Sequence, residues 1–224
     1  MYQKIIEDVK TFSEPAFAEW LKPFLNFNEY PNEIIIGVRV PILRKLAKKY
    51  ANIDCLVLEK LLKNNIHELR ALAIFIMLLK VKSEPQRICD LYLKNLKYIN
   101  NWDLVDYSAP HIVAPNVSIE TLKELAESNY LWANRVAMVS TIYYIKQGDF
   151  DLALDFAKKF ICHNHHLMHK AAGWMLREIG KQDEKILIDF LKIHSDKMPS
   201  VMRSYAIERL KNKKASLVKN KKKC

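Results

Sequence analysis

The stretch YLWANRVAMVSTIYYIK, residues 130–146, decides the fold. Its apolar side chains return every three or four positions, so that Leu131, Trp132, Met138, Val139 and Ile142 share one helical face. That is the spacing of a buried helix and not of a strand. In the middle of the face stands a charge, Arg135. Arg70 stands in the same way among Ile66, Ala73, Ile74 and Met77, and Arg203 sits in a third such helix. The three arginines are 65 and 68 residues apart, with Trp102/Asp106 and the stretch Lys170–Trp174 near the midpoints of the gaps. A unit of about 33 residues follows, the length of paired helices in an α-solenoid. Such pairs stack into a curved slab, and the second helix of each pair usually lines its concave face.

Outward from these stretches the helical spacing continues almost without interruption. It predicts helices at about 2–12, 15–25, 41–50, 54–63, 66–81, 84–97, 101–112, 118–127, 130–146, 150–160, 165–179, 183–192 and 199–211. Asp54, Ser83, Ser118 and Asp149 stand where N-caps belong, Gly148 and Gly180 where helices stop, and Pro41 and Pro199 in first turns. Asn26–Val40, with Pro31 and Gly37, is the one long irregular stretch. With only 4 Gly and 8 Pro in 224 residues, the chain lacks the turn residues that antiparallel sheets need. The expected class is all-α, an α-solenoid or superhelix of helical repeats.

The formal charge is +11, and its distribution matters more than its size. Arg209 to Cys224 holds eight basic residues and no acid, which leaves 28 basic against 25 acidic residues over 1–208. Arg39, Arg44, Lys45, Lys48 and Lys49 fall within eleven acid-free residues, a pattern suited to a polyanionic partner. The longest apolar run, Ala71–Leu79, is far below the roughly 20 residues of a bilayer span, so no membrane is expected. The beginning of the chain carries acids and no apolar stretch. The four cysteines (55, 89, 162 and 224) make no C-x-x-C pair, and a cytoplasmic protein with reduced thiols is expected.

Charges on apolar faces point to candidate sites. Besides Arg70 and Arg135, Asp106 shares a face with Trp102 and Ala109. Either an Asp–Arg pair locks neighbouring repeats, or the acid takes part in chemistry. Trp174 errs the other way: its face holds Lys170, Arg177, Glu178 and Lys181, so that it is either an exposed indole among bases, contacting nucleic acid or sugar, or a Trp covered by the next helix pair. Cys162, His163, His165, His166 and His169 resemble metal ligands, but no second cluster completes a site, so no metal is expected and the segment reads as a loop and helix start near phosphates. No P-loop, dinucleotide fingerprint or nucleophile elbow occurs.

Several blocks together carry a family resemblance. Gly37-Val-Arg-Val-Pro41-x-Leu-Arg44-Lys-Leu-Ala, Asn101-Trp102-Asp103-Leu-Val-Asp106-x-Ser108-Ala, Trp132-x-x-Arg135, Lys170-Ala-x-Gly-Trp174-x-Leu-Arg177-Glu178-x-Gly-Lys and Met198-Pro199…Tyr205-Ala-Ile-Glu208 occur in this order. Over roughly residues 30–210 the chain resembles the bacterial DNA alkylation repair glycosylases of the AlkD type. The resemblance implies a HEAT-like repeat fold whose concave basic face grips duplex DNA, and removal of cationic N3- and N7-alkylated purines with no metal or organic cofactor. Carried over by motif, Asp106 is the catalytic carboxylate, Trp102 and Trp174 line the site, and Arg135 is its basic partner.

DNA contacts are expected from Arg39, Arg44, Lys45, Lys48, Lys170, Arg177, Lys181 and Arg203. The chain departs from the pattern in two places. Phe27 and Tyr30 flank the position of an expected aromatic, and Ser200 and Ser204 stand where arginines are expected. A single repeat domain over 1–211 and a basic tail over 212–224 complete the expectation, with no obligate protein partner. A DNA-binding module of the same fold without chemistry is the competing reading; a protein scaffold suits the basic clusters less well.

Overall fold

In the computed structural model the described residues are 1–25 and 32–210. They are helical almost throughout, and the one extended pairing among them is an isolated parallel bridge between Ile34 and Ile66. The all-α expectation holds. Phe27, Tyr30 and the basic tail 212–224 lie outside the described residues. The chain divides into two compact units, Met1–Asn116 and Val117 onward.

The first unit contains α1 (Tyr2–Lys10), α2 (Pro15–Leu21), α3 (Val40–Lys49), α4 (Cys55–Leu62), α5 (His67–Lys80), α6 (Pro85–Lys94) and α7 (Trp102–Ser108). Its centre is α5. Every residue of that helix from His67 to Met77 is buried, as befits a helix apolar nearly all round, and α3, α4 and α7 pack on it. The outer helices are narrower in their apolar stripes: α4 buries Leu58, Leu61 and Leu62, and α6 buries Ile88, Cys89 and Tyr92.

Polar groups inside this unit fasten the segment before α3. The Glu68 carboxylate accepts hydrogen bonds from three successive backbone N–H groups, those of Ile36 (3.1 Å), Gly37 (2.6 Å) and Val38 (3.3 Å). Arg70 donates to Glu33 (2.5 Å), to the Asn100 side chain (2.6 Å) and to the Asn64 carbonyl (2.6 Å), and Asn100 also bonds Glu33. Removing one partner of such a buried pair leaves a stranded charge, which costs about 3–5 kcal/mol. Gly37 is required where it stands. Its φ is +80°, and a Cβ there would collide with the Glu14 carbonyl.

The second unit contains α8 (Ile119–Glu127), α9 (Leu131–Ser140), α10 (Ile142–Ile145), α11 (Asp151–Lys159), α12 (His166–Gln182), α13 (Glu184–His194) and α14 (Ser200–Ala206). The α9 helix is buried from Trp132 to Ser140 and packs on α8 and α12. The long α12 is packed by α9, α11, α13 and α14. Its approach to α14 is close because Gly173 offers no side chain: a Cβ there would collide with the Met202 carbonyl and lie 2.7 Å from Tyr205 Cβ.

Several expected boundaries shift for local reasons. The 130–146 helix breaks at Thr141, whose hydroxyl donates to the Met138 carbonyl (2.7 Å) and competes with the helical ladder. The 15–25 helix tightens into a 3₁₀ turn at Lys22–Phe24, around Pro23. Asp54 and Ser118 cap as expected, but Glu84 and not Ser83 occupies the N-cap of α6. Gly180 lies within α12, not after it; a Cβ there would press on Leu187 of α13, so the glycine serves packing.

Candidate functional site

Asp106 and Trp102 lie on α7, one turn apart, and both are half-buried. The helix begins at Asn101, whose side chain accepts from the Trp102 N–H (2.9 Å). The Trp102 indole donates to the Phe24 carbonyl (2.8 Å), and its ring packs against the cluster of Ala18, Leu25 and Ile35. Asp103 faces inward and bonds His67 at 2.8 Å. The helix ends by widening into a π-turn over Ala109–Val113. Pro110 explains it: the ring has no N–H to give the Asp106 carbonyl four residues earlier and would crowd it. Such local widening is often found at functional positions.

Electrostatically, this region is organised around one buried histidine. Burial opposes protonation of His67, but Asp103, aided by Glu68 and Glu33, outweighs it and holds the imidazole above its ordinary value. Tyr107, next to Asp106, is pushed up by burial and by Asp103. The α3 helix meets this surface through Arg44, whose guanidinium lies 4.6 Å from the Phe75 ring and 5.6 Å from the Tyr107 ring.

The expected DNA contacts of α3 divide into two kinds. Arg39 is held by Glu14 in a two-pronged pair (2.9 Å for each closest contact) and covers the Phe17 ring. Lys45 and Lys48 are exposed and have no carboxylate partner among the described residues.

In the second unit, Arg135 is buried and donates to the Leu167 carbonyl at 2.7 Å, fastening α9 to the first turn of α12. Trp174 is half-buried, not exposed as the first reading of its helix face has it, and its indole donates to Glu178 (3.1 Å). Glu178 also holds Lys181 (2.7 Å), while Arg177 pairs with Glu208. Lys170 makes no ion pair among the described residues, and Arg203 donates to the Ser195 carbonyl (3.2 Å).

The histidine-rich segment caps helices. His163 Nδ1 accepts from the His165 N–H (3.0 Å), and His165 Nδ1 accepts from the Leu167 N–H (3.2 Å) at the start of α12. His163 Nε2 lies 3.3 Å from the Asn134 side-chain oxygen, and Asn134 donates to the last carbonyls around α8. Burial holds His163 and His169 below the ordinary histidine value. Among the described residues no three His, Cys, Asp or Glu side chains gather as a metal site requires. No described helix is long and apolar enough to cross a membrane.

Two features escape the sequence reading. His67 and Glu68 lie in a run that reads as core, and only their unusual place on a buried helix marks them. The aromatic row Phe17, Trp20 and Phe24 is legible only as amphipathic helix spacing.

Together these features define an all-helical protein in which a carboxylate stands among aromatic groups beside an acid-free basic helix. The sequence pattern of the family described as "DNA alkylation repair enzyme" matches residues 5–210, and the chain belongs to that family. A solved structure described as a predicted DNA alkylation repair enzyme from Enterococcus faecalis is similar to it in fold. Its TM-score is 0.69 at 16% identity, covering 89% of this chain and 97% of the other. No curated protein sequence matches the chain.

Proposed function

We propose that the protein is a DNA glycosylase that hydrolyses the N-glycosidic bond of cationic N3- and N7-alkylated purines in duplex DNA. The observation that carries this reading is the placement of Asp106 on α7, one turn from Trp102, on the helix that Arg44 of the basic α3 reaches through Tyr107. An acid beside a basic DNA-facing helix repels phosphate in the ground state. It is useful when positive charge develops on the sugar.

The chemistry suits these groups. An alkylated purine is already cationic and leaves without a general acid. The barrier lies in the oxocarbenium-like sugar, which a carboxylate stabilises and an indole face attracts. The same carboxylate holds the attacking water. The family resemblance also assigns Arg135 and Trp174 to the site; within the second unit Arg135 bonds the Leu167 carbonyl and Trp174 bonds Glu178. The cations proposed to bind phosphate are Arg44, Lys45 and Lys48 on α3 and Lys170 on α12. The proposed setting is cytoplasmic, on nucleoid DNA, without a required protein partner.

Asp106→Asn is the test. Single-turnover release of N7-methylguanine from duplex DNA falls by about a hundredfold or more, as for other preorganised electrostatic groups. Duplex affinity is kept or slightly raised, because a repulsive charge is gone. Near-normal release by the Asn variant removes Asp106 from the mechanism and leaves a DNA-binding module without this chemistry.

A further inference from the structure

The α7 chemistry makes no use of three aromatic rings that stand together on the first unit. Phe17, Trp20 and Phe24 recur at spacings of three and four along α2 and the 3₁₀ turn that continues it, so they share a face. The Phe17 and Trp20 rings are stacked, 5.6 Å between centroids and 16° from parallel, and the Phe24 ring lies 4.8 Å beyond. Trp20 and Phe24 keep 60% and 56% of their surface in solvent. A contiguous exposed aromatic row, unlike a lone exposed apolar residue, calls for an occupant.

The surroundings narrow what that occupant is. Glu14 is bonded to Arg39 and Glu19 to Lys22, so the charges beside the row are already paired. The row itself therefore offers flat π-faces and little field. Free positive charge lies on α3, the helix that begins at the Arg39 covering Phe17, where Lys45 and Lys48 have no carboxylate partner among the described residues. The row is also continuous with α7, since the Trp102 indole is bonded to the Phe24 carbonyl and packs, as Leu21 does, on Ala18, Leu25 and Ile35. Flat rings for bases, with cations on the same unit for the backbone, are the pairing that holds unpaired nucleotides, because every base has a face to stack and every linkage a charge.

We propose that Phe17, Trp20 and Phe24 form a stacking platform for unpaired nucleobases, through which the first unit binds single-stranded DNA. The proposal rests on the reading of the protein as DNA-directed, but not on Asp106 or on excision. Trp20 carries most of the stacking, being the largest and most exposed of the three rings. Phe17 is covered on one side by Arg39, 4.3 Å from its centroid, and closes one end of the row.

The test uses the full chain with Trp20→Ala and Trp20→Phe, an oligothymidylate of about 16 nucleotides, the upper site size for one stacking domain, and a fully paired duplex. Fluorescence anisotropy gives the affinities, and tryptophan emission reports stacking. Trp20→Ala weakens oligothymidylate binding about five- to a hundredfold, the range for loss of one base–aromatic stack, while Trp20→Phe retains most of it. Duplex affinity stays unchanged in both, and part of the emission quenching by oligothymidylate is absent in Trp20→Phe.

Unaltered oligothymidylate binding by Trp20→Ala overturns the proposal, as does an equal loss on both DNAs. Conversion of a self-associating protein to a monomer with DNA binding intact also overturns it and makes the row a protein contact. If the unsubstituted protein binds duplex but not oligothymidylate, the platform falls and the repair reading stands. If it binds oligothymidylate but not duplex, the repair reading falls and the platform stands.

Discussion

His67 is buried, bonded to Asp103 at 2.8 Å, and acted on by Glu68 and Glu33 as well. Burial opposes its charge; the carboxylates prevail, so its folded-state pKa is raised above the ordinary 6.5. The folded state then binds the proton more tightly than the unfolded chain. The stabilisation is fully present below about pH 6.5 and is lost as pH rises through the higher folded value. Denaturant unfolding of the protein beside His67→Gln between pH 5 and 9 therefore gives a difference that shrinks with rising pH. It shrinks by up to about 1.4 kcal/mol for each unit separating the two pKa values. A difference that is flat or grows with pH contradicts a protonated His67. Nothing in the sequence reading assigns His67 this role, because its partner Asp103 is 36 positions away.

At the level of helices, small residues decide how closely elements approach. The Lys170-Ala-Ala-Gly-Trp174 block reads as a site motif, yet the glycine within it serves the contact of α12 with α14. Gly173→Ala tests this. In an isolated helix alanine is better than glycine by about 1 kcal/mol. Here the added Cβ meets the Met202 carbonyl, which is backbone and cannot swing aside. A clash with backbone falls in the upper part of the overpacking range, about 2–3 kcal/mol, and outweighs the propensity gain by about 1–2 kcal/mol. The expected outcome is a melting temperature lower by roughly 2–8 °C, read by circular dichroism; an unchanged or higher Tm contradicts it. The π-turn after α7 is the complementary case, where Pro110 is plain in the sequence but the widened turn that answers it is not.

Over the whole molecule the charge of +11 is concentrated, and much of what remains on the helices is internally paired. Arg39, Lys49, Arg177 and Lys181 each hold a carboxylate, whereas Lys45 and Lys48 hold none among the described residues. Phosphate binding should therefore fall more heavily on the second group. Each neutralised phosphate contributes about −0.9 to the slope of log K against log salt for duplex DNA. Lys45→Gln/Lys48→Gln is expected to make that slope shallower by about 2 and to weaken binding uniformly across sequences. Titrations between about 50 and 200 mM salt check it. An unchanged slope removes α3 from the proposed phosphate interface.

Helical periodicity by itself determined the class of fold, since burying an apolar stripe every three or four residues leaves a chain this poor in turn residues no other structure. It also singled out Asp106, Arg70 and Arg135, because a charge on an apolar face is visible without coordinates. What those charges bond to was decided only by tertiary structure. Arg70 finds Glu33 and Asn100, 37 and 30 residues away, and Arg135 finds a backbone carbonyl, which no side-chain pattern records. The two readings of Trp174 are separated in the same way: its helix face is polar, but Glu178 on that face takes the indole N–H and the ring is half-covered. Spacing along a helix reports which side chains lie together on one surface. Burial and pairing depend on what a distant segment brings to that surface, and the physical interactions that settle them are made only when the chain has folded.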